Sequence, residues 1–188
     1  MDDMMQKIAG TQRVYTQPLM MSGKLTGCQY VFEGMLRDYT YRAGQFIKVD
    51  GSIGIMTVQG KLASTVKVVV NEITPPSLSF KPSPPTRAYL IGADFRTNLA
   101  SLVAASESDT PGALFAIYQL SPTFEILAAS LKTKKLSVAF NSRGGATDIT
   151  MPLDLEVATT DKDGNRTRNS VAIEDFGTCL GTMAAAMK

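Results

Sequence analysis

Ser64 and Lys67 stand at the Ser-x-x-Lys spacing that lets a lysine activate a serine nucleophile. Ser108-Asp109-Thr110 and Lys132-Thr133-Lys134 echo the two boxes that accompany such a pair, but the first lacks its asparagine and the second its glycine. That nucleophile belongs at the start of a helix. Here the motif runs into Val68-Val69-Val70, a β-branched run that predicts a strand, and the catalytic reading fails on that ground. Asp161-Lys162-Asp163-Gly164-Asn165 opens like a calcium loop, yet the sixth position must be glycine and the twelfth glutamate, and these are Arg166 and Ala172. The segment reads instead as the polar tip of a hairpin between Leu155–Thr159 and Ser170–Ile173. Asn165-Arg166-Thr167 is a glycosylation sequon only in a eukaryotic secretory pathway, and chance occurrence explains it.

No histidine occurs among the 188 residues. A Ser-His-Asp or Cys-His site is therefore excluded, as is any His-ligated zinc. Two cysteines cannot build a four-cysteine metal site or hold an ordinary iron–sulfur cluster. No metal and no cofactor are expected. An enzyme built on this chain would be confined to Asp, Glu, Lys, Ser or Tyr chemistry, a hydrolase of the carboxylate or Ser-Lys kind.

Nineteen basic residues against seventeen acidic ones leave a formal charge of +2, too near neutral for phosphate-driven nucleic-acid binding. No apolar run reaches the roughly 18–20 residues that cross a bilayer. Cys28 and Cys179 are separated by most of the chain. They read either as two unrelated buried thiols or as one disulfide, whose loop-closure entropy would be worth about 5 kcal/mol. A lone pair suits a periplasmic or secreted protein. The opening MDDMMQKIAG carries neither the basic nor the apolar region of a signal peptide, so export requires a leader outside this sequence, and a cytoplasmic location is the alternative.

An aromatic-dense stretch is the best candidate for a ligand or partner surface. It comprises Tyr30, Arg37, Asp38, Tyr39, Tyr41 and Arg42, together with Phe32 and Phe46. The competing reading places half of these residues in the core of adjacent strands. The ten methionines, among them Met20, Met21, Met183 and Met187, read as core filling or as an adaptable surface.

The elements that must position these residues are mostly strands. In Thr147–Ala158, Ile149, Met151, Leu153, Leu155 and Val157 alternate with polar residues and Pro152, which predicts a strand at a sheet edge or bulged at the proline. Leu136-Ser137-Val138-Ala139-Phe140 precedes it across the turn Ser142-Arg143-Gly144-Gly145. Further strands are expected over Arg13–Met21, Gln29–Leu36, Phe46–Val58, Leu62–Ile73, Leu99–Ala105 and Ala113–Leu120, with Gly51, Gly54 and Gly60 at turns or bulges. One helix should follow Ser121 as N-cap and Pro122. A C-terminal helix capped by Asp175 should carry Phe176, Cys179, Leu180, Met183 and Met187 at helical spacing, weakened by Gly177 and Gly181. Five of the nine prolines lie in 74–86, an extended crossover between sheets. The expectation is a flexible segment 1–10, then one domain over 11–188: a mainly β, antiparallel β-sandwich or flattened barrel of about seven to nine strands with two helices.

From Ser121 to Leu155 the order is a helix, a lysine turn, Leu136-Ser137-Val138-Ala139-Phe140, a Gly-Gly hairpin and Met151-Pro152-Leu153-Asp154-Leu155. This resembles the C-terminal part of the invasion-associated locus B family, small exported β-sandwich proteins of Gram-negative bacteria. With Gly23-Lys24-Leu25-Thr26-Gly27-Cys28 it is also similar to other bacterial exported proteins. The N-terminal half departs from the family pattern, cysteine placement included, and no site residue carries over. The resemblance implies export and a sandwich. The function expected is a non-enzymatic exported bacterial protein, an envelope-associated interaction or structural module with a protein partner. The alternative is a small-molecule or lipid-binding sandwich, with its apolar ligand between the sheets or beneath the Ser121–Leu131 helix.

Overall fold

In the computed structural model, which describes residues 12–74, 79–108, 110–142 and 145–186, the alternating pattern of the N-terminal half becomes four long strands. They are β1 (Gln12–Met21), β2 (Lys24–Asp38), β3 (Gln45–Val58) and β4 (Lys61–Thr74). Two of the connections are two-residue turns, Ser22-Gly23 and Gln59-Gly60, with positive φ at both positions. That backbone matches the twist of the flanking strands and is why each turn ends in glycine.

β5 (Ser79–Pro82) folds back on β4, and β6 (Ala88–Gly92) enters a different sheet, so the Pro-rich stretch does cross between sheets. Its residues 75–78, like the segment 1–10, lie outside the described residues. A 3-10 turn at Leu99–Ser101 leads to β7 (Leu102–Glu107) and β8 (Ala113–Tyr118). Helix α1 (Leu120–Thr133), β9 (Lys135–Asn141), β10 (Asp148–Asp154), β11 (Val157–Thr160), β12 (Arg166–Arg168) and helix α2 (Val171–Ala186) follow.

The strands pair antiparallel throughout. A seven-stranded sheet runs β1-β2-β3-β4-β8-β7 with β5 beside β4, a three-stranded sheet runs β10-β9-β6, and β11 and β12 form a hairpin. The large sheet stays open, which decides for a sandwich over a flattened barrel. The twelve strands among the described residues exceed the expected seven to nine because β5, β11 and β12 are only 4, 4 and 3 residues long and carry little periodicity, and β6, only five residues long, follows directly on the Pro-rich stretch.

Cys28, Tyr30, Phe32, Ile53, Val66 and Tyr118 of the large sheet share one core with Leu90, Val138, Phe140, Met151 and Leu153 of the small one. Helix α1 closes the side near β4, β6 and β9, and α2 lies over β1 and β2. Pro152 sits in β10, an edge strand, as its missing N–H demands.

Several boundaries differ from expectation. The run Thr147–Ala158 breaks at residue 155, where the Leu155 N–H donates to Lys134 O and the Glu156 N–H to the Asp154 carboxylate. Leu155 and Val157 remain buried, so the alternation survives a change of strand. Ser170 leads directly into α2, whose first turn begins at Val171, so Ser170–Ile173 is not a hairpin arm; Asp175 lies inside the helix and is no cap, and Met187 lies outside the described residues. Helix α1 begins at Leu120, one residue before the expected cap, and Ser121 bonds Glu125 instead. Gly51 and Gly54 lie in regular ladder, not at bulges. A Cβ on Gly51 would run into the Phe32 ring and the Lys67 carbonyl, so glycine there makes room for the aromatic.

Candidate functional site

The aromatic stretch resolves into parts with different duties. Asp38 is buried, and its Oδ1 accepts the N–H groups of Thr40 and Tyr41 at 2.9 and 2.8 Å, shaping the β2–β3 turn. Arg42 ion-pairs with Glu72 and donates to Gln45 Oε1 at 2.6 Å, tying that turn to β4. The Arg37 guanidinium lies 4.3 Å over the Phe46 ring and donates to Gly44 O. Tyr41 donates its hydroxyl to Thr147 O and covers Gly145. Of the set, only Tyr39 is well exposed, at 75%.

Tyr30 is not on the surface. It is 0% exposed and stacks on Phe176 with ring centroids 4.1 Å apart, because even positions of β2 face inward. Its hydroxyl has no hydrogen-bond partner among the described residues, and burial pushes its pKa well above the usual phenol range. An unpaired buried hydroxyl costs about 1–3 kcal/mol. Tyr30→Phe should therefore hold or raise stability in urea unfolding, by up to about 1 kcal/mol. A loss of that size would mean the hydroxyl is satisfied.

The Ser-x-x-Lys pair falls to strand geometry, which puts residues three apart on opposite faces. Ser64 is buried and donates to Gln119 O at 3.2 Å, whereas Lys67 Nζ reaches Thr110 Oγ1 at 3.0 Å on the other side. Asp109 of the echoing box lies outside the described residues. At the β11–β12 tip, Asp161 accepts from the Asn165 side chain at 3.0 Å and from the Asn165 and Asp163 N–H groups, which hold its carboxyl below the usual range. These bonds close a turn. Among the described residues no cluster of three or more Cys, Asp or Glu is placed to hold a metal ion.

What the fold does build is a groove on the outer face of the three-stranded sheet. The register places Ile91, Ser137 and Pro152 in one row and Tyr89, Ala139 and Thr150 in the next. In the first row the small Ser137 lies between Ile91 and Pro152, and these three line a hollow of about 780 Å³. At one rim stands Phe95, 86% exposed and held at φ 63°. The turn that imposes this is closed by Phe95 N–H to Gly92 O at 2.9 Å and Gly92 N–H to Arg96 O at 2.8 Å. A bulky residue in the left-handed region is strained, and such strain concentrates where a side chain must be presented.

Beyond β10 the groove continues into a second hollow of about 430 Å³ that reaches Tyr39 and Met35. Gln12, Thr150 and Pro152 line both. Gln12 holds the seam between them: its Nε2 donates to Pro152 O and its Oε1 accepts the Asp154 N–H at 3.1 Å. Lys135 and Arg166 add positive charge to the large hollow, and Asp154 is ion-paired with Arg168 at 2.6 Å. Apolar floor, exposed aromatics at both ends and a polar rim suit burial of another molecule's apolar groups. Sequence reasoning found Tyr39 but missed Phe95; the signal was an aromatic alone in the polar turn Gly92-Ala93-Asp94-Phe95-Arg96. Comparison of the chain with protein-family models, with curated proteins and with solved structures finds no match.

Proposed function

We propose that the chain is a non-enzymatic exported bacterial protein, an envelope-associated interaction module that binds a protein partner through the groove between Phe95 and Tyr39. The observation that carries this is a pair of adjoining hollows, sharing Gln12, Thr150 and Pro152 in their walls, with one exposed aromatic at the outer end of each. Aromatic side chains at a recessed surface are the usual anchors of binding energy. Export is supported by the Cys28–Cys179 disulfide, since such bonds persist in oxidising compartments.

Phe95→Ala and Tyr39→Ala should each leave stability within about 0.5 kcal/mol, as exposed positions do. Each should weaken binding of a partner captured by photo-crosslinking in its own host by about tenfold, roughly 1.4 kcal/mol. Unchanged affinity in both variants would refute the assignment. A small apolar ligand in the same groove is the second reading, favoured by a volume of about 780 Å³ within the ~300–1,000 Å³ range of such sites. Native mass spectrometry of protein purified from its host separates the two by the mass that co-purifies.

A further inference from the structure

The seven-stranded sheet has a second face, turned away from the core, and the register fixes what it carries. One row across it reads Gln17, Gln29, Gly54, Thr65, and the next reads Tyr15, Val31, Ser52, Lys67, Phe115. The residues at the centre, Ser52, Gly54 and Thr65, are small. The middle of the face is therefore lower than its sides, which leaves a trough of about 460 Å³ with Val31, Val69 and Phe115 among its apolar walls.

Lys67 is the only charged residue lining this trough among the described residues. Its ammonium donates to Thr110 Oγ1 at 3.0 Å and enters no ion pair among them. The neighbouring charges of the same face are matched, Lys48 with Asp50 at 2.9 Å and Arg13 with Glu33 at 3.9 Å. A half-buried cation against apolar walls has lost part of its hydration and gains from an anion brought beside it. We propose that the trough binds a small amphiphile, one oxyanion on an apolar body, with the anion at Lys67 and Thr110 and the body along Val31, Val69 and Phe115. This site is on the opposite layer from the groove and does not depend on it.

Decanoate and decyl phosphate are the probes, titrated by calorimetry beside acetate and decanol, each of which supplies only half of the recognition. At least one amphiphile should bind about tenfold more tightly than acetate and than decanol, the gain expected of a charge-assisted hydrogen bond joined to apolar burial. The head group preferred tells a carboxylate ligand from a phosphate one. Lys67→Met should weaken that amphiphile about tenfold and leave decanol within about twofold. Ser52→Leu keeps the lysine but raises the floor, and should abolish binding; it decides the matter if Lys67→Met does not fold. Phe95→Ala should change nothing. No binding at millimolar probe, acetate binding as tightly as the amphiphile, or indifference to both Lys67→Met and Ser52→Leu would overturn the assignment.

Discussion

Replacing Cys28 and Cys179 together by alanine should lower the melting temperature by about 10–20 °C. The bridge spans 151 positions, and closing so long a loop removes about 5 kcal/mol of denatured-state entropy in the chain-entropy model. For a chain of this size each kcal/mol moves the midpoint by about 2–4 °C. The comparison is between oxidised wild type and the double variant by scanning calorimetry, with reductant-treated wild type expected to approach the variant. A shift under about 2 °C would mean that α2 is held by packing alone and that the bridge adds little.

Phe176→Ala should cost about 3–5 kcal/mol in urea unfolding with the disulfide intact, the usual loss for a buried phenylalanine. Phe176 is fully buried and supplies the ring on which Tyr30 stacks. The helix that carries it has little intrinsic stability, because Gly177 and Gly181 each disfavour it by about 1 kcal/mol relative to alanine. A Cβ on either glycine would meet nothing within 4 Å, so neither is required by packing. Helix α2 thus owes its place to one inward face, Ala172, Ile173, Phe176 and Met183, and to the bridge. Combined with loss of the bridge, Phe176→Ala should cost less than the two changes summed, since both act by releasing the same helix. A loss below about 1 kcal/mol would place the anchoring of α2 elsewhere.

Most of the fold was legible because period-two burial is a local property. The central parts of β3 and β4 and the whole of β10 follow it closely. What escaped depended on partners distant in sequence. β6 reads as five ordinary residues, and its place beside β9 rests on Asn98, whose Oδ1 accepts the Leu90 N–H at 2.8 Å while its Nδ2 donates to Thr123 at 2.7 Å. Nothing in the neighbourhood of Asn98 announces that it will join a strand to a helix. Likewise Asn141 accepts the N–H groups of Thr86 and Arg87 and donates to Gly145 O, fixing the crossover against the hairpin. The tyrosine patch divided between core and surface for the complementary reason. Composition concentrates aromatics without saying which face each occupies, and alternation along β2 sent Tyr30 inward while the turn after it left Tyr39 outside. The lysine trough was invisible to motif reading, because its parts come from five strands whose alignment only the register reveals.

The position of the Cys28–Cys179 bridge also sets how the molecule would carry a load. Tension applied between Gln12 and Ala186 would run along β1, enter β2 only as far as Cys28, and leave through the sulfurs to the second half of α2. The 151-position span between the cysteines is bypassed. The β1–β2 ladder, the first residues of β2 and the turns of α2 beyond Cys179 carry that force, and both outer layers, with the groove on one and the trough on the other, would keep most of their framework while the chain was held taut.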